Sequence, residues 1–120
     1  NELAEANEVP AVQLNTPVKD VIIEISKKRL GTTAVVKNDC IIGIITDGDI
    51  RRMLENNSNI QILTAKDIMS GNPIVIDANT MAINALDIMK KNDITQILVT
   101  KNDIYLGVVH FHDLIKEGII

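Results

Sequence analysis

The chain is poor in aromatic residues. It has one tyrosine, one phenylalanine and no tryptophan, 2% of its 120 residues. With 46% hydrophobic residues, its core must be built from Ile, Val, Leu, Met and Ala. A single cysteine, Cys40, excludes an internal disulfide and fits a reducing compartment, so a cytoplasmic location is expected. Cys40 follows a turn and reads as a small packing residue rather than a nucleophile. No apolar run approaches the ~20 residues of a membrane span, and no charged, then apolar, leader marks a signal peptide. A net charge of −4 gives no basic surface for nucleic acid or anionic membrane. High apolar content with modest charge argues against disorder. The first residue, Asn1, is not Met, which suggests a piece of something longer.

Arginine is also scarce. Only Arg29, Arg51 and Arg52 occur, and two of them stand together in Gly43-Ile44-Ile45-Thr46-Asp47-Gly48-Asp49-Ile50-Arg51-Arg52. Here an apolar strand runs into a turn carrying a hydroxyl and two carboxylates, and a helix follows. A related stretch, Gly107-Val108-Val109-His110-Phe111-His112-Asp113-Leu114-Ile115, holds both histidines of the chain.

These stretches belong to an internal repeat. The offset is 80 − 16 = 64, and Thr16–Asp49 aligns with Thr80–Asp113 without a gap. Eight of the 34 pairs are identical, including Thr16/Thr80, Val35/Val99, Asn38/Asn102, Asp39/Asp103, Gly43/Gly107 and Asp49/Asp113. About two would arise by chance at average residue usage. Each copy reads strand–helix–strand–strand–helix. Helices are expected after the caps Thr16-Pro17 and Thr80, over Asp47–Glu55, over Ala65–Ser70 after the cap Thr64, and over Phe111–Glu117. Strands are expected at Val9–Val12, Thr33–Val36, Ile41–Ile45, Ile74–Ile76, Ile97–Val99 and Tyr105–Val109, with hairpin turns at Asn38-Asp39 and Asn102-Asp103. Val21, Ile22, Ile25, Ala85, Leu86 and Met89 form apolar helix stripes for the core. The expected division is residues 1–60 and 61–120. Units this small bury little surface alone, so the copies are expected to pack together.

A tandem repeat of this order, with Gly-x-x-Thr-x-x-Asp opening the last helix, resembles a pair of CBS domains (a Bateman module). The resemblance runs from about Val9 to the end and implies an α/β (α+β) fold of two pseudo-symmetric units. The ten residues from Gly43, Asp67-Ile-Met, and the nine residues from Gly107 are similar to the C-terminal CBS pair of bacterial arabinose 5-phosphate isomerases. That resemblance implies a regulatory module of a sugar-phosphate isomerase, with an N-terminal sugar isomerase domain in the same chain and a homodimer. No cofactor is required. The implied ligand is an adenine nucleotide or a sugar nucleotide such as CMP-Kdo, the activated product of the Kdo pathway, in the cleft between copies.

The candidate ligand-binding residues are Thr33, Thr46, Asp47, Asp49, Arg51, Arg52, Gln96, His110, His112 and Asp113. A carboxylate such as Asp49 accepts hydrogen bonds from both ribose hydroxyls. A hydroxyl and the N–H groups of a helix start hold phosphate. An arginine pairs with a phosphate or with the carboxylate of an acidic sugar. Adjacent arginines point about 100° apart, so at most one of Arg51 and Arg52 is expected to face the cleft. His110 and His112 donate to anions near neutral pH. Each residue also has a plainer reading: Thr46 and Asp47 as helix caps, the arginines as a solvated face, the histidines as caps or packing. His-x-His without further ligands is weak as a metal site. Asp47 and Asp49 lack the nucleophile, base or metal set of a catalytic pair. The competing readings are therefore a ligand-sensing module, a structural dimerisation module, and, least supported, an enzyme in its own right.

Overall fold

The computed structural model describes residues 9–28, 31–56 and 59–116. The chain forms two compact units, one spanning Pro10–Pro73 and the other built on the chain from Ile74 onward. The first holds β1 (Ala11–Val12), α1 (Val18–Lys28), β2 (Thr32–Lys37), β3 (Cys40–Thr46), α2 (Asp47–Asn56), a 3-10 turn (Ile60–Ile62) and α3 (Ala65–Ile68). The second holds β4 (Val75–Asp77), α4 (Ala82–Asn92), β5 (Gln96–Lys101), β6 (Ile104–His110) and α5 (Phe111–Lys116). Expected starts and ends at Gly31's preceding residues, at Asn57–Ser58 and at Glu117–Gly118 fall partly outside the described residues.

Each unit carries a three-stranded sheet, β1-β2-β3 and β4-β5-β6, with the first pair parallel and the second antiparallel. The hairpins match residue for residue at the repeat offset. Thr32 faces Thr46 as Gln96 faces His110, and both registers slip after Val35 and Val99. The turns explain the tight match. Asn38 and Asp39 have φ 52° and 66°, and Asn102 and Asp103 have 52° and 65°. Two successive positive φ values give the mirror-image turn whose twist suits a hairpin, and Asn and Asp tolerate them best among residues with a Cβ.

The cores repeat as well. Val12, Val21, Ile25, Val35 and Ile45 are buried in the first unit, and Ile76, Ala85, Met89, Val99 and Val109 occupy the same places 64 residues later. Ala85 and Leu86 are buried as expected, while Ile22 is only half-buried. The helix starts differ from expectation by one residue. Thr16 does not cap α1, because its hydroxyl accepts the Gln13 N–H at 2.9 Å, and Pro17 supplies the first helical carbonyl to Asp20 and Val21. In α4 that place is taken by Met81 rather than Thr80.

The stretch after the 3-10 turn is stitched into the first unit. Val18 donates to the Leu63 carbonyl, Ala65 to Thr16 and Lys66 to Leu14. The short helix α3 stops at Ile68 because Met69 turns extended (φ −72°, ψ 155°). Ser70 then exchanges two backbone hydrogen bonds with Ile44 (2.9 and 3.0 Å), adding one bridge to the outer edge of β3.

That close approach explains the glycine. A Cβ on Gly43 would lie 2.5 Å from the Met69 sulfur and 3.0 Å from the Ser70 carbonyl oxygen. Its repeat counterpart Gly107 is required for another reason, a φ of 147°. Gly43→Ala is therefore expected to destabilise the chain by about 1–3 kcal/mol in urea unfolding. Combined with Met69→Ala it should cost less than the sum of the two single changes. Strict additivity would refute the contact as the cause.

Candidate functional site

The last strand of each unit runs directly into a helix, and both junctions are built on the same carboxylate. In the first unit Thr46 ends β3 and Asp49 is the third residue of α2. The Thr46 N–H donates to Asp49 Oδ2 at 2.9 Å and the Thr46 hydroxyl lies 3.2 Å from the same oxygen. The Asp49 N–H returns a hydrogen bond to Thr46 Oγ1 at 3.3 Å. This reciprocal capping box satisfies helix-start donors that would otherwise lack partners. The partner of Thr46 in the box is thus Asp49, while Asp47 is exposed at the first helical position.

Asp49 is 9% exposed, and its second oxygen, Oδ1, receives the Arg52 guanidinium in an ion pair. Arg52 and Arg51 both fold back toward the start of α2, the direction long helical side chains favour. Arg52 Nη1 lies 3.4 Å and Arg51 Nη2 3.8 Å from the position a Cβ would take on Gly48, with Thr46 Oγ1 at 3.5 Å. The 100° between adjacent Cβ directions is offset by the reach of the side chains, so both guanidinium groups converge on one glycine. Gly48 thereby joins the candidate residues. A Cβ-less position inside a first helical turn beside two arginines was the signal in the sequence.

Thr33 is placed differently. It is fully buried on β2 opposite Ile45, and its hydroxyl donates to the Ala34 carbonyl at 3.1 Å. Its neighbour Thr32 is the residue paired with Thr46, and its hydroxyl donates to the Ile45 carbonyl at 3.0 Å. A second Thr-x-x-Asp box stands at α3, where the Thr64 N–H donates to Asp67 Oδ2 at 2.9 Å. Asp67 shares a cavity of about 190 Å³ with Asp49, Arg52, Met53, Asn56 and Ile68.

In the second unit the junction keeps the carboxylate and replaces the hydroxyl by an imidazole. The His110 N–H donates to Asp113 Oδ2 at 3.1 Å. His110 Nδ1 accepts the His112 N–H at 3.1 Å, the acceptor task a threonine hydroxyl has in the first unit. This bond requires an unprotonated Nδ1 and leaves Nε2–H as the ring's donor. The two imidazoles stack with centroids 4.8 Å apart and planes at 11°, and Phe111 meets His112 edge-on at 6.3 Å. Burial holds the His110 pKa below its usual 6.5, the neighbouring His112 lowers it further, and Asp113 acts in the opposite direction. Gln96 stands opposite His110 on β5, with its Oε1 accepting the Thr95 hydroxyl at 3.0 Å. Gln96, His110, His112 and Asp113 thus gather at one end of β5–β6, as Thr46, Asp49, Arg51 and Arg52 gather at one end of β3. Among the described residues no group of three or more His, Cys, Asp or Glu is arranged to hold a metal ion. No described helix is long and apolar enough to cross a membrane.

Two outcomes follow from these junctions. Asp49→Ala removes the cap and is expected to destabilise the chain by about 1–2 kcal/mol in urea unfolding, and an unchanged midpoint would contradict the capping role. The depressed His110 pKa means that the unfolded chain binds more protons than the folded one on the acid side of 6.5. The stabilisation is thus complete above about pH 6.5 and is lost as pH falls through the folded pKa. His110→Gln should flatten this acid slope, and a slope equal to that of the parent would exclude His110 as its source.

Comparison with known proteins agrees with the repeat. The CBS domain family model matches residues 5–56 and again 65–119. The chain is 41% identical over 117 residues to arabinose 5-phosphate isomerase KdsD of Francisella tularensis, covering 97% of this chain and 36% of that protein. It is 33% identical over 115 residues to KdsD of Escherichia coli K12, covering 95% of this chain and 35% of the relative. An uncharacterised Rickettsia prowazekii protein is 40% identical over 120 residues, 99% of this chain and 37% of that one. The chain thus spans little more than a third of the length of these relatives. A CBS domain crystal structure superposes with a TM-score of 0.84 at 19% identity, over 97% of this chain and 92% of the other. CBSX2 in complex with AMP superposes with a TM-score of 0.77 at 15% identity, over 92% and 87%. At these identities the superpositions establish the fold. With two matches to one family model, a repeat of 64 residues and a duplicated strand-to-helix junction, the chain belongs to the CBS domain family as a tandem pair.

Proposed function

We propose that this CBS pair is a non-catalytic regulatory module that senses an anionic nucleotide or sugar nucleotide, and that it serves an arabinose 5-phosphate isomerase. The observation that carries this reading is the junction Thr46–Arg52. It offers a carboxylate for sugar hydroxyls, a threonine hydroxyl and two converging guanidinium groups. The histidine junction carries an imidazole N–H donor in the second copy. The KdsD relatives support the isomerase connection, and CBSX2 supports a nucleotide, since its structure holds AMP. The attached catalytic domain would be the sugar isomerase domain, and regulation requires that the ligand prefer one state of the module over another.

Two arginines exceed what a nucleoside monophosphate requires. A cytidine monophosphate ester of a sugar acid carries two anionic groups, so CMP-Kdo is the ligand we favour over AMP. A second reading, a structural dimerisation module, is favoured by one observation. Both oxygens of Asp49 already have partners within the chain.

A thermal-shift panel with AMP, ATP, CMP, CMP-Kdo and arabinose 5-phosphate separates these readings. A ligand held at 100 times its dissociation constant is expected to add about 2.7 kcal/mol of stability. A shift with CMP-Kdo larger than with CMP is the expected result. A shift confined to adenine nucleotides would replace the sugar acid by an energy-charge ligand, and no shift with any compound would favour the structural module.

A further inference from the structure

We propose that Arg52 is a latch on Asp49, and that this latch makes the site select phosphorylated nucleotides over their nucleosides. The inference rests on the nucleotide-sensing reading above. Asp49 Oδ2 is committed to the Thr46 N–H and hydroxyl, bonds that also hold the start of α2. Only Oδ1 remains for a ligand, and in this structure Arg52 occupies it. A ribose hydroxyl that donates to Oδ1 therefore competes with the arginine for it.

The two partners differ in how readily they move. Asp49 is almost fully buried and pinned by its capping box, whereas the Arg52 side chain is 63% exposed. The arginine is the mobile member. Its Nη1 already lies over Gly48, beside Arg51 Nη2 and the Thr46 hydroxyl, so a small rotation carries it from Oδ1 to an anion bound at the helix start. A nucleotide brings such an anion. Its phosphate takes over the guanidinium as its ribose takes over the carboxylate, and every charged group keeps a partner. An uncharged nucleoside breaks the ion pair and supplies nothing to Arg52. Selection then comes from a penalty against the wrong ligand as well as from attraction to the right one.

Calorimetric titration of the wild type, Arg52→Met and Arg52→Lys with cytidine, CMP, adenosine and AMP tests the latch. Methionine keeps the apolar stem of the exposed side chain, and urea unfolding verifies that the fold survives. Lysine retains a charge able to sit on Oδ1, so it remains informative if Arg52→Met unfolds. In the wild type the monophosphate that binds is expected to do so at least about tenfold more tightly than its nucleoside, the factor set by one charge-assisted contact. In Arg52→Met the nucleoside should bind about 3–10-fold more tightly than in the wild type, while the monophosphate weakens. Arg52→Lys should keep a preference of the same sign as the wild type. If Arg52→Met weakens the monophosphate and leaves the nucleoside unchanged or weaker, the latch is refuted and the nucleotide reading stands. If Arg52→Lys tightens the nucleoside as much as methionine does, charge occupancy of Oδ1 is refuted. No binding of any of the four compounds to any of the proteins overturns the latch, while the CMP-Kdo arm of the thermal-shift panel decides the sugar-nucleotide reading separately.

Discussion

The Asp49 carboxylate is the point on which the first unit and its proposed chemistry both depend. Near-complete burial of an acidic side chain is tolerated only when its oxygens are well partnered. Here one oxygen closes the strand-to-helix junction through Thr46 and the other holds Arg52. The junction places the start of α2 at the end of β3, and so decides where Arg51, Arg52 and Gly48 lie. A group able to receive sugar hydroxyls is thus also a structural cap. Capping uses Oδ2, and the Arg52 contact gives the remaining oxygen, Oδ1, its charged partner. A half-exposed ion pair of this kind contributes only about 0–1 kcal/mol.

The two copies divide the chemistry unequally. The first has a hydroxyl, a carboxylate and two permanent cations. The second keeps the carboxylate as Asp113 but uses His110 Nδ1 as the acceptor for the cap. That choice holds the imidazole neutral in the folded state. The second copy therefore presents a donor, Nε2–H, rather than a fixed positive charge. Recognition of a doubly anionic ligand at the first junction is accordingly expected to rest on the arginines.

Much of this was legible in the residues. The 64-residue offset gave the element order, the hairpins and the paired core, because period-2 strands, Asn-Asp turns and apolar helix stripes are local signals that repeat. Thr16 and Thr80 misled as caps for a local reason too. The Thr16 hydroxyl is taken by the preceding turn, and the extended residues Pro17 and Met81 delay each helix by one position. The role of Gly43 was not legible, since it depends on Met69 and Ser70, more than 25 residues away in the chain. Thr46, Asp49, His110 and Asp113 stand out in the sequence by position, but their bonds at the two junctions do not. The convergence of both arginines on Gly48 was not legible, because helical geometry fixes Cβ directions and says little about where a long, flexible side chain ends. Thr33 pairs with Ile45, and its neighbour Thr32 pairs with Thr46, a register that depends on the hairpin and is not read from the residues alone.

The central claim is that the Thr46–Arg52 junction receives a nucleotide. Its most direct test is a two-dimensional amide NMR titration of the chain with CMP and with CMP-Kdo. Binding as proposed should move the amide signals of Thr46 to Arg52 most strongly, and more with CMP-Kdo than with CMP. Saturable shifts confined to other residues would move the site elsewhere. A spectrum unchanged at millimolar ligand would contradict nucleotide sensing and leave the Asp49 carboxylate as a helix cap alone.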